Sequence, residues 1–141
     1  MARSDRSSDS IEKLLQERSQ YEQWLARLNE AGAPDAVRAR VRSDYESRLD
    51  NVMGQLRAHE STIAEALSRH HADRERLEAR EADLLETLAE AEVRHAVGEY
   101  DDKQWNDLSG AQKKSLNELN GELDKVRSEI ARLSEVQRLI R

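Results

Sequence analysis

The sequence contains no cysteine and no phenylalanine, one proline and five glycines in 141 residues. Without cysteine there is neither a disulfide framework nor a thiolate zinc site, and the redox compartment leaves no trace. No apolar run approaches the roughly 20 residues that span a bilayer. The opening MARSDRSSDS lacks the apolar stretch of a secretory signal. The expectation is a cytoplasmic protein without membrane insertion. Apolar residues reach 37%, charged residues also 37%, and mean hydropathy is -0.93. A chain of this composition is either disordered or a long helix with a narrow apolar seam.

Periodicity selects the helix. Ile11, Leu14, Tyr21, Leu25 and Leu28 recur in steps of three and four, with Arg18 filling one seam position. Asp9-Ser10-Ile11-Glu12 has capping-box spacing ahead of that run, and residues 1–8 are expected to be a disordered tail. The run closes at NEAGAPDAV. There Gly32 suits a left-handed helix end, Pro34 a helix start, and Asp35 the first turn of the next helix.

A second seam runs through Val37, Val41, Tyr45, Leu49, Val52, Leu56, Ile63, Leu67, Leu77, Leu84 and Leu88. No proline and only Gly54 interrupt residues 35–97, which predicts one helix ~95 Å long. The third seam, Trp105, Leu108, Leu116, Leu119, Leu123, Val126, Ile130, Leu133 and Ile140, follows heptads from Leu116 onward. Stutters fall at Leu108–Gln112–Leu116 and at Ile63–Leu67.

These patterns predict an all-α, elongated antiparallel coiled coil of three helices, at about 10–31, 35–97 and 102–140. Residues 9–141 form its single domain. The long middle helix is clasped by two shorter antiparallel ones. Reversal near residue 100 pairs positions whose numbers sum to about 200, so Leu84 meets Leu116, Leu77 meets Leu123 and Leu67 meets Leu133. Reversal near residue 32 pairs positions summing to about 65 and sets Tyr21 near Tyr45. The two arms meet where Ile11 and Ile140 approach Leu56–His59. Leu15, Trp24, Met53, Leu85, Val136 and Leu139 lie off the seams and are open to dimerisation or to a partner.

Charge is uneven. Residues 78–102 hold nine acids against two bases, whereas residues 125–141 hold five bases against two acids. The acidic balance, net -6, argues against nucleic acid as a partner. The basic C-terminal arm is amphipathic, but its apolar positions belong to the seam.

The turn between the second and third helices, Gly98, Glu99, Tyr100, Asp101 and Asp102, is the candidate partner-contact tip. Gly98 can take positive φ, and Asp101-x-x-Gln104 has capping-box spacing. The three acids could also hold Mg²⁺ through oxygen ligands. Capping alone accounts for every residue of the motif except the number of acids. His70 and His71 point about 100° apart on a helix, and His71 with Glu75 lacks a third ligand. His70 at the seam near Ile130 predicts a rod that loosens when histidine is protonated. There is no Gly-rich phosphate loop and no cysteine nucleophile, and the serines have no organised base. Catalytic, cofactor and metal residues are therefore expected to be none.

The segment AEAEVRHAVGEYDDKQWNDL, residues 89–108, resembles a motif of bacterial coiled-coil hairpin proteins, some of which carry a zinc ribbon after the hairpin. A zinc ribbon needs cysteines that this sequence does not have. The resemblance implies an interaction or scaffold role rather than an activity. In outline the acidic tip also resembles transcript-cleavage factors of the Gre type, which carry tip acids into RNA polymerase. The first expectation is a non-enzymatic scaffold or adaptor that contacts a protein partner or forms a homodimer. The alternative is a hairpin factor acting on RNA polymerase through the acidic tip.

Overall fold

The computed structural model describes the backbone of residues 2–141 and the side chains from Asp9 onward. It is all-α and 90% helical, and no strand occurs among the described residues. Among the described residues four helices follow one another: α1 (Ala2–Leu28), α2 (Asp35–Ala58), α3 (Glu60–Ala96) and α4 (Asp102–Ile140).

Four helices replace the expected three, because the helix foreseen over 35–97 is divided at His59. Its N–H bonds to the Leu56 carbonyl three residues back, at 3.0 Å, which is a tightened turn. The ladder resumes at once, with the Ile63 N–H on the His59 carbonyl at 2.9 Å. His59 keeps φ -88° and ψ -4°, so no proline or glycine was needed and none marks the place. Leu56, Ile63 and Leu67 are all buried, at spacings of seven and four. A straight helix drifts against such spacing, and a tightened turn takes up part of the drift.

The N-terminal boundaries also differ from expectation. Helical backbone begins at Ala2, so Asp9 lies inside α1 rather than capping it. Met1 and the side chains of residues 2–8, where the disordered tail was expected, lie outside the described residues. Helix α1 ends at Leu28, three residues early, through bonds from Glu30 to Arg27 and from Ala31 to Leu28. Gly32 does not adopt positive φ; among the described residues Gly98 alone does. Pro34 caps α2 with φ -56° and ψ 148°, and its carbonyl accepts the N–H groups of Val37 and Arg38. Asp35 sits in the first turn and pairs with Arg38.

The chain divides into two compact units. The first comprises residues 1–63 and 137–141. In it α1 and α2 pack antiparallel, with Trp24 5.3 Å from Tyr45 and Tyr21 edge-on to Trp24 at 5.5 Å. Trp24 is therefore a packing residue between the helices and not part of a free stripe, and it takes the place expected for Tyr21. Arg42 donates to Asn29 at 2.8 Å. These pairs sum near 70 rather than 65, because the six-residue connection displaces the register. Ile11, Leu14, Leu28, Val52, Leu56, Ile63 and Ile140 are buried, and Arg141 pairs with Glu60 at 3.4 Å. The ends of α1 and α4 thus belong to the unit that holds Leu56 and His59.

The second unit, residues 64–136, is the hairpin of α3 and α4. Leu77, Leu119 and Leu123 form its core, with Leu84 and Val126 packed against them. Leu67, Ala91, Ser109, Leu133 and Val136 are also buried. Val136 is therefore core, where an off-seam position was expected. Arg127 donates to Glu78 at 3.4 Å across the pair. Leu77 and Leu123 realise the register that sums to 200.

Candidate functional site: the α3–α4 tip

The five residues between α3 and α4 close the hairpin with two interlocking caps. At the end of α3 the N–H of Gly98 bonds to the His95 carbonyl at 3.1 Å, and that of Glu99 to the Arg94 carbonyl at 2.9 Å. Gly98 has φ +90°. This is a Schellman motif, and it needs a residue that tolerates the left-handed region. At the start of α4, Gln104 N–H donates to the Asp101 carboxylate at 2.8 Å, and Asp101 N–H donates to the Gln104 side chain at 2.9 Å. The capping box expected from the spacing is present, with aspartate in the usual hydroxyl position.

Each tip acid has a partner inside the chain. Arg94 donates twice to Glu99, at 2.9 and 2.7 Å, and twice to Glu90, at 3.2 and 2.8 Å. A Schellman motif commonly brings an apolar pair together at these two positions; here an ion pair occupies them. Hydrogen bonds to Glu90, then to Glu99, push the Arg94 guanidinium above its ordinary pKa. Asp101 serves the capping box. Asp102, at the positive end of α4, accepts from His95 Nε2 at 2.9 Å. The His95 ring stacks on Trp105 with centroids 5.3 Å apart and planes 8° from parallel.

Sequence reasoning located Gly98, Glu99, Tyr100, Asp101 and Asp102; the structure places the first four in the turn and Asp102 as the first residue of α4. It missed Arg94, His95 and Trp105 as the residues that organise them. Two signals were there to be read. His95 and Trp105 sum to 200, the register of the hairpin, and Arg94 and Glu99 bracket a glycine at Schellman spacing.

The depression at the tip is open to solvent rather than enclosed. Thr87, Glu90, Ala91, Arg94, Tyr100 and Leu108 line a shallow depression of about 180 Å³. Small-molecule sites run from about 300 to 1,000 Å³. Among the described residues, no three His, Asp or Glu side chains gather in a geometry that could hold a metal ion. Farther along the hairpin, Glu129 bonds to Arg132 at 3.1 and 2.5 Å. That bonding, with the charges of Arg132 and His70, holds its carboxyl below the usual range against a smaller opposing effect of burial.

Among the described residues, no helix is long and apolar enough to cross a membrane. Against known protein families, curated proteins and solved structures, the chain matches none.

Proposed function

We propose that the chain is a non-enzymatic coiled-coil scaffold or adaptor of the cytoplasm that mediates protein–protein interaction. The observation that carries this reading is on α3. One face of that helix packs on α4 through Leu77 and Leu84, while Leu85, Val93 and Val97 remain 50, 62 and 75% exposed. Exposed apolar side chains grouped on one surface mark interaction sites more often than chance. The shallow depression and the internally bonded tip acids point the same way.

The test is affinity capture on the full chain, with mass spectrometry and light scattering. A stoichiometric protein partner, or a homodimer at micromolar concentration, supports the reading. A strict monomer that captures nothing beyond background overturns it.

The alternative, a polymerase factor working through its acidic tip, has one observation in its favour: the Asp102 side chain is 94% exposed. Its test is transcript cleavage with Asp101→Asn and Asp102→Asn together. Loss of an effect that the unaltered chain produces would select this alternative.

A further inference from the structure

Along the last four turns of α3, Ala82, Leu85, Ala89, Val93 and Ala96 are all exposed and succeed one another at steps of three, four, four and three. At about 100° per residue they share one face, which Val97 extends past the helix end. The opposite face carries Leu77, Leu84 and Ala91 toward α4. The stripe is about 22 Å long, the length of a partner helix of four turns.

Both edges of the stripe are acidic. Glu81 and Glu92 fall along one edge, Asp83 and Glu86 along the other. Among the described residues none of these four carboxylates has a cationic partner, whereas their neighbours Glu78 and Glu90 are held by Arg127 and Arg94. Glu90 shares the edge of Asp83 and Glu86 and is already taken up by Arg94, and Glu78 lies before the stripe begins; the other four acids beside the stripe are left to a partner.

Resting on the adaptor reading, we infer that this face docks a cationic amphipathic helix of a partner protein. The partner's apolar residues lie on Leu85 and Val93, and its Lys or Arg side chains meet Glu81, Asp83, Glu86 and Glu92. This is helix-on-helix recognition with charges setting specificity. A second copy pairing through the same face would set eight carboxylates against one another. The basic arm of a second copy does not fit either, because Leu133, Val136 and Ile140 are already buried in the fold. An anionic membrane is repelled by the same edges.

The probe is a labelled amphipathic Leu/Lys peptide of about fourteen residues, titrated into the full chain and followed by fluorescence anisotropy. Saturable one-to-one binding is expected. Leu85→Gln with Val93→Gln should weaken it at least about tenfold. Neutralising Glu81, Asp83, Glu86 and Glu92 to their amides should remove most of its salt dependence. Val37→Gln, on another exposed apolar residue, should leave it unchanged. Glutamine is a good helix former and these positions are exposed, so circular dichroism should show the helices intact. No binding by the unaltered chain, or equal binding by Leu85→Gln/Val93→Gln, overturns the inference. Affinity capture with that double variant separates the two proposals. A partner retained equally well leaves the adaptor reading standing and removes this face from it, while a partner lost with the variant supports both.

Discussion

Arg94 and Glu99 are joined by two hydrogen bonds across the residue at which α3 reverses, at 2.9 and 2.7 Å. Arg94 also holds Glu90, so one guanidinium offsets two carboxylates beside a turn that carries two more. Arg94→Gln should lower the melting temperature at low ionic strength. The loss should shrink in high salt, because both side chains are about half exposed. A thermal scan at two salt concentrations reads it, and an unchanged low-salt midpoint would contradict the pairing.

Gly98 stands at φ +90°, and nothing lies within 4 Å of a Cβ built there. The cost of Gly98→Ala is therefore conformational, about 1–2 kcal/mol of destabilisation. Gly121 lies inside α4, also with open space around it. Gly121→Ala should stabilise by ~0.5–1 kcal/mol, since alanine loses less entropy in a helix. Urea denaturation should give opposite signs for the two.

Leu123 is fully buried and Leu85 is half exposed, on facing helices of one hairpin. Leu123→Ala should cost about 2.5–4 kcal/mol through lost burial and a cavity, and Leu85→Ala less than ~0.5. Similar losses at the two sites would mean that α3 turns a different face to α4.

Glu129 supplies a pH dependence. The hydrogen bond from Arg132 holds its carboxyl below the ordinary glutamate range, so its contribution is complete above about pH 4.3, the unfolded value. That contribution is lost as pH falls through the lowered folded value. Glu129→Gln should flatten the fall in stability between neutral and acid pH. Identical profiles for variant and parent would remove Glu129 from the account. The charge of His70 acts on Glu129 from α3.

The Oε1 atom of Gln112 is buried without a hydrogen-bond partner, at the stutter between Leu108 and Leu116. Gln112→Leu should raise stability by about 1 kcal/mol, because an unmet acceptor is removed and a seam position filled. Equilibrium unfolding that shows a loss instead would mean that the amide is engaged.

Much of the hairpin was legible because its signals are local or periodic. Gly98, the Asp101–Gln104 box and the register joining Leu77 to Leu123 all follow from spacing. The division at His59 was hidden because a residue with near-helical dihedrals needs no special side chain. Trp24 was misplaced because a shift of a few residues in the α1–α2 connection rotates the interface. Ala91 and Ser109 went unread as core because small residues carry little hydropathy, although their numbers too sum to 200. The role of Arg94 went unread because it joins two separate local spacings, four residues from Glu90 along the helix and five from Glu99 across Gly98, which meet at one guanidinium only once the chain bends.

The closing turn has a kinetic consequence. His95 and Trp105 are ten residues apart, whereas Leu67 and Leu133 are separated by sixty-six. The entropy lost on joining two points grows with the length of chain between them. Once the double cap sets, each further turn of the hairpin closes only a small additional loop. Zippering outward from the bend is therefore the fastest route to the native pair, and variants at Gly98 should slow refolding more than variants at Leu67.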